Sequence, residues 1–471
     1  MPYPGPRTAA HLLALIVALV LAADLLWMPV QASDSLGELL DAQQSPSAWA
    51  SFSGAFGTTA YLRPLRIAQI KGLFDLAQDR HYWLVFRGFH ALLIVAAVLL
   101  FVRALRVATT IDFAAAAFAL LVLTGLYTFR GTVREAFPIN HFLEMVVACL
   151  VVLNLARSRG GVAVDLGAVL TFIAAVLTLE SGLLVWVVAV AAWMVGWRGI
   201  SIRGIALMTA LLAAYFGVRF MYLSTGVPEL SERSAGYLLE MLDPPQLQER
   251  FGAQPIWFYG YNVLASISSV LFSEPQDGVF ELVSNWLRNR PLPRVVIPVV
   301  TSFFTTALLI WAAARRARRV VPFDDTGRMI GVFLLVLAGN AALSYAYAQD
   351  EIMSVAGVFY ALAAFGASRE ALLAGGSLRP VAATACLLLL TVLATGWAVR
   401  AGGLHFLLRS QALKHQADWV SLPGRWQRDG SWPEDPNAQR LILQLRHDAV
   451  QVTLPNTRVG GPEWPDRLWL D

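Results

Sequence analysis

The chain has 471 residues, of which 57% are hydrophobic and only 14% charged, and its mean hydropathy is +0.58. A soluble globular domain carries about 25% charged residues, so this composition excludes a water-soluble fold. The formal charge of +4 sits between apolar runs, where it serves orientation and lipid contact rather than nucleic acid.

Crossing about 30 Å of hydrocarbon as a helix takes roughly 20 apolar residues. Open sheet edges would leave backbone groups unpaired in lipid, so the spans must be helices. In chain order they are expected at about 11–30, 83–102, 107–128, 137–156, 162–180, 181–197, 204–223, 295–314, 328–348, 352–367 and 380–400. The first run follows Arg7, contains Asp24 and ends near Val30-Gln31-Ala32, which resembles a leader cleavage site. It is longer than a leader core and heads a chain that continues in the membrane, so it reads as an anchor.

Arg103 and Arg106, Arg157 and Arg159, Arg198 and Arg203, the run Arg315, Arg316, Arg318 and Arg319, and Arg369 with Arg379 all fall on the side of Arg7. The positive-inside tendency makes that side cytoplasmic. The expected fold is an all-α polytopic membrane protein of about 11 transmembrane helices, N-terminus inside and C-terminus outside, in a bacterial plasma membrane. A multi-span domain covers 1–400 and an extracytoplasmic tail 401–471. Lysine occurs only at Lys71 and Lys414. Arginine grips phosphate with two parallel donors, though a GC-rich genome gives the same bias. Cys149 and Cys386 lie in apolar runs and suggest no disulfide.

Three outer segments are long: 31–82, 224–294 and the tail. Within the first, Leu65, Ile67, Ile70, Leu73, Phe74 and Leu76 alternate with Arg66, Gln69, Lys71 and Asp75 as in an amphipathic helix. In the second, the apolar stretch 256–272 reads as an interfacial or re-entrant helix, because a full crossing would put Arg315–Arg319 outside. In the tail, Leu441–Leu454 alternates like two short strands about a turn.

Ionisable residues at spans are costly and mark function by default. Those at the outer face are Asp34, Arg63, Arg66, Arg130, Arg134, Glu135, His141, Glu180, Arg219, Asp350 and Glu351. An anionic lipid phosphate would balance the arginines; snorkelling or mutual pairing would do so too. Asp112 and Asp165 read as interfacial, and Asp24, Glu144 and Asn340 as bonds between neighbouring helices. Phosphate-loop, zinc-protease and nucleophile-elbow motifs are absent. A dedicated metal cage is not expected, while a divalent cation held between a carboxylate and a substrate phosphate stays open.

The segment Tyr61–Leu105 carries Arg63, Pro64, Leu65, Tyr82 and His90 in the order of a Tyr-x-Arg-Pro-Leu stretch, an amphipathic helix and a span with an outer histidine. It resembles polytopic GT-C glycosyltransferases of the dolichyl-phosphate-mannose-utilising and related bacterial type. Thr132–Ala136 is similar to a loop with Glu135 at its acidic position, and Leu177–Gly182 to a Ser-Lys-Glu turn that keeps Glu180. Trp83 stands where a second histidine is common, Leu179 replaces the lysine, and Gln349-Asp350-Glu351 replaces an Arg-Tyr-Leu stretch. The acidic pair of the family's first outer loop is matched by Asp34 alone.

The resemblance implies transfer of a sugar from a polyprenyl-phosphate donor to a glycan, lipid or protein acceptor at the non-cytoplasmic face. Asp34 would be the base, Arg63, Arg134 and Arg219 would meet the phosphate, and Glu135 and Glu180 would orient acceptor or arginines; Asp350 and Glu351 join as substrate-binding residues. A transporter of lipid-linked saccharides and a non-catalytic scaffold of envelope assembly remain open.

Overall fold

The computed structural model describes residues 5–29, 36–58, 62–78, 82–134, 141–223, 234–237, 239–290, 293–318, 324–376 and 380–451. They are overwhelmingly helical, as an apolar chain with no water for its backbone must be. The helices are α1 (Pro6–Trp27), α2 (Leu36–Gln44), α3 (Ala48–Thr58), α4 (Pro64–Ala77), α5 (Tyr82–Leu105), α6 (Thr110–Gly125) and α7 (Tyr127–Arg134). There follow α8 (His141–Ala156), α9 (Val162–Thr178), α10 (Leu183–Met194), α11 (Ile202–Gly217), α12 (Pro244–Phe251), α13 (Ile256–Phe272) and α14 (Val279–Leu287). The last five are α15 (Pro293–Ala317), α16 (Asp325–Leu343), α17 (Ser354–Gly375), α18 (Pro380–Asp429) and α19 (Pro436–Gln451). Among the described residues only β1 (Ser234–Gly236) and β2 (Leu239–Leu242) are strands, paired antiparallel.

Among the described residues seven helices are long and apolar enough to cross a membrane: α1, α5, α11, α15, α16, α17 and α18. Shorter apolar helices are α6, α8, α9, α10 and α13. Each apolar run of the sequence carries one of these, and α13 occupies the stretch set apart as re-entrant. Leu387, Leu388, Leu389 and Val392 of α18 are each more than half exposed, an apolar surface suited to lipid.

α17 is the axis of the bundle, buried almost from end to end. Its small residues let neighbours come close, the packing that substitutes for a hydrophobic drive in lipid. A Cβ at Gly366 would lie 2.7 Å from Thr326 Cγ2. At the Arg7 side, Arg157 pairs with Asp325 at 2.6 Å, Arg369 with Asp112 at 2.6 Å, and Arg316 with Asp324 and Glu370 at 2.6 and 2.8 Å. Asp112 also caps α6 through Thr109, and Asp165 accepts from Ser201 N and Oγ, so both have structural roles. Asn340 bonds Ile352 O and Ala356 N, joining α16 to α17.

The contacts of α13 make it a descending arm. Asn262 near its start donates to Tyr345 O, beyond the end of α16, at 2.9 Å. Leu271 O at its end accepts from Thr306, near the middle of α15, at 2.6 Å. The chain turns at Ser273, and α14 packs back against α15. Arg400 of α18 holds the turn, donating to Ser273 Oγ and Ser302 Oγ, each at 2.7 Å.

The tail departs from expectation. Leu441–Gln451 is helical, within α19, rather than strand; residues 452–454 lie outside the described part. Residue 400 is inside α18, whose 50 residues span about 75 Å at 1.5 Å each, far more than a bilayer needs. Its distal half and α19 build a second apolar core with the first outer segment: Leu39, Ile70, Phe74 and Tyr82 pack with Trp419, Ile442 and Leu445.

In a cysteine-free background, Gln254→Cys and Arg288→Cys flank the α13–α14 arm. Both are expected to react with a membrane-impermeant maleimide from the same, outer face; labelling from opposite faces would make the arm a crossing.

Candidate functional site

Three of the residues singled out in the sequence meet where the start of α4 and the ends of α9 and α11 come together. Pro64 opens α4 with its ring in place of an unneeded N–H, which fixes Arg63 just before the helix. Arg63 Nε and Nη2 reach Glu180 Oε2 at 2.9 and 2.5 Å. Glu180 opens a 3₁₀ turn, Glu180–Gly182, whose Gly182 lies against the Ala175 backbone too closely for any side chain. Arg219 Nη1 lies 3.5 Å from Glu180 Oε1 and donates to Tyr215 Oη at 3.1 Å. It sits in a π-helical turn, Val218–Tyr222, the kind of local widening that recurs at functional sites.

The network continues along α4. Arg66 pairs with Glu38 of α2, and Gln69 with Glu144, which also meets His141 Nδ1 at 2.9 Å. Arg87, fully buried, donates to Met28 O and to Pro29 O, the latter at 2.9 Å. The chain is therefore anchored at Pro29 and again at Glu38, on either side of Asp34. Asp34 and Glu135 themselves lie outside the described residues, as does the side chain of Arg134, which ends α7.

A second group was not assembled by sequence reasoning. Asp24 of α1 accepts from Arg130 of α7 at 2.6 Å, and its other oxygen lies 2.6 Å from His405 Nδ1 of α18. These residues and Arg409 form the polar end of a crevice of about 670 Å³. Its flank is apolar, with Ile16 and Val20 of α1 60% and 62% exposed, so it opens sideways toward lipid. Asp24, an acid inside an apolar run, was the available signal; His405 joins only because α18 continues past residue 400.

Asp350 and Glu351 line a different cavity, of about 370 Å³, which also borders α7, through Tyr127. A Cβ at Gly131 of α7 would lie 3.1 Å from Glu351 Oε1, so glycine lets that helix pass close. Burial pushes the Asp350 carboxyl up to about 8, helped by the negative charges of Glu351 and Asp277; Tyr237 and Arg400 oppose the shift. Among the described residues no group of three or more His, Cys, Asp or Glu could hold a metal.

No family model, no curated protein and no solved structure matches the chain.

Glu180→Ala leaves Arg63 and Arg219 facing each other. It is expected to cost about 2–3 kcal/mol, below the fully buried range because about a quarter of the Arg63 and Glu180 side chains is exposed. Denaturant unfolding in detergent with the Arg63→Ala/Glu180→Ala double variant measures the coupling. For Asp350 the folded carboxyl keeps its proton up to about 8, whereas the unfolded one releases it near 3.8. Stability must fall as pH rises through that window and stay reduced above it. Asp350→Asn should therefore melt higher than the parent above pH 8, with the difference shrinking toward pH 4.

Proposed function

We propose that the chain is a membrane transferase that moves a sugar from a polyprenyl-phosphate donor to an acceptor at the non-cytoplasmic face. The observation that carries this reading is the crevice between α1, α6 and α18. It offers an apolar flank open to lipid and a charged end with Arg130, His405 and Arg409 around Asp24. A polyprenyl phosphate has that polarity, a long apolar chain ending in an anion. Arginine supplies two parallel donors to phosphate oxygens.

The chemistry needs a base to take the acceptor proton and cations where the phosphate departs. In this reading Asp34 takes the proton, and Arg63, Arg134 and Arg219 add positive charge at the outer face. Glu135 and Glu180 orient the arginines or the acceptor, and a divalent cation can bridge to the phosphate. The reading also takes the eleven apolar runs as eleven crossings, with N-terminus inside and C-terminus outside in a bacterial plasma membrane.

A transporter of lipid-linked saccharides would carry its ionisable groups along a mid-membrane path, commonly between repeated broken helices. Here the charges that line cavities lie around α7, at one end of the bundle, which favours a site at one face.

The test is binding and transfer in nanodiscs. Polyprenyl phosphate is expected to bind the parent protein, with affinity reduced about tenfold or more in Arg409→Ala, the scale of one lost charged hydrogen bond. With a panel of polyprenyl-phosphate sugars, Asp34→Asn should abolish transfer. Unchanged binding in Arg409→Ala would sink the crevice as donor site, and full transfer by Asp34→Asn would remove the base.

A further inference from the structure

The cavity lined by Asp350 and Glu351 has a chemistry of its own. Its walls bring together Tyr127, Tyr237, Gln276, Tyr347, Gln411 and Asp350, from α7, the β1–β2 turn, the tip of the α13–α14 arm, the α16–α17 loop and α18. Its volume of about 370 Å³ falls in the range of small-ligand sites, about 300–1,000 Å³. Several of these groups are already set in orientation. Tyr127 Oη donates to Gln411 Oε1 at 3.2 Å, Tyr237 Oη to Ser269 Oγ at 3.0 Å, and Gln349 Nε2 to Tyr347 Oη at 3.1 Å. Arg400 holds the arm that carries Gln276 through Ser273.

We propose that this cavity is a saccharide subsite, taking the polyhydroxylated acceptor between tyrosine rings and planar amide and carboxyl groups. Each amide offers two donors and an acceptor, which matches a ring hydroxyl that both gives and receives. Aromatic rings give a sugar's apolar C–H face a surface to cover, with a phenol at the edge for its hydroxyls. Asp350 keeps its proton at neutral pH, so it too presents one donor and one acceptor rather than a bare charge. The groups that face it from the packed elements are Glu351, Asp277, Tyr237 and Arg400.

Gly131 places the cavity next to the charged crevice. Arg130 leaves α7 toward Asp24, while Tyr127, one turn earlier, lines the cavity and Gly131, the next residue, abuts Glu351 beside it. A donor phosphate at Arg130 and an acceptor sugar at Tyr127 would thus be about one turn of α7 apart. The word acceptor rests on the transferase reading; the saccharide binding does not.

The full chain in nanodiscs is melted with methyl α-D-mannoside, methyl α-D-glucoside and methyl α-D-galactoside. At least one is expected to raise the midpoint saturably. Gln276→Ala and Gln411→Ala should each weaken that binding about tenfold. Asp350→Asn, which keeps a donor and an acceptor, should bind as the parent does, and Asp350→Leu should not bind. No shift with any glycoside, or a shift that survives Gln276→Ala, Gln411→Ala and Asp350→Leu alike, overturns the subsite. Polyprenyl phosphate is titrated in parallel. Saccharide binding without polyprenyl-phosphate binding leaves the subsite standing and removes the transferase reading, and the reverse result does the opposite.

Discussion

A charged side chain in an apolar layer has to find its partner there, because water is not available to solvate it. That constraint is tightest for Arg130 and Asp24, whose side chains are 5% and 8% exposed, and relaxes toward the helix ends, where further pairs tie the bundle. On the Arg7 side, Arg157–Asp325, Arg369–Asp112 and Arg316 with Asp324 and Glu370 clamp the inner helix ends. On the other side, Arg63–Glu180–Arg219 and Asp24–Arg130 tie α4 to α9 and α11, and α1 to α7. Between these two layers the bundle relies on close packing around α17, whose alanines and glycines bring its neighbours to backbone distance.

The two layers are not equivalent. The pairs on the Arg7 side mostly join helix ends far apart in the chain, 168 positions for Arg157 with Asp325 and 257 for Arg369 with Asp112, while Arg316 and Asp324 are 8 apart. At the other end of the bundle, Asp24 and Arg130 border the apolar-flanked crevice and Asp350 and Glu351 the polar cavity, and α7 contributes to both, through Arg130 and Tyr127. Under the proposed function an amphiphilic substrate would meet both environments along α7.

Much of this is written in the hydrophobic pattern. The runs that became helices were legible because lipid leaves the backbone a single solution, and the stretch 256–272 was set apart because a crossing there would place Arg315–Arg319 on the opposite side from Arg7. The alternation in Leu65–Leu76 likewise announced α4. The tail misled for an equally physical reason. Leu441–Leu454 has a short period-2 appearance, but Leu441, Ile442, Leu445 and Ala449 recur at helical spacing and are the residues buried. Pairings such as Arg63 with Glu180, 117 positions apart, leave no local trace. His405 was hidden because its meeting with Asp24 depends on α18 running unbroken past residue 400.

The central claim is that a lipid phosphate enters sideways between α1 and α18. The most direct measurement is photo-crosslinking with a polyprenyl phosphate that carries a diazirine near its phosphate end, followed by peptide mapping. Adducts on α1 around Ile16–Leu21 and on α18 around Ala401–Arg409, displaced by unlabelled polyprenyl phosphate, are the predicted result. Adducts confined to other helices, or undisplaced labelling spread over the whole lipid-facing surface, would contradict it.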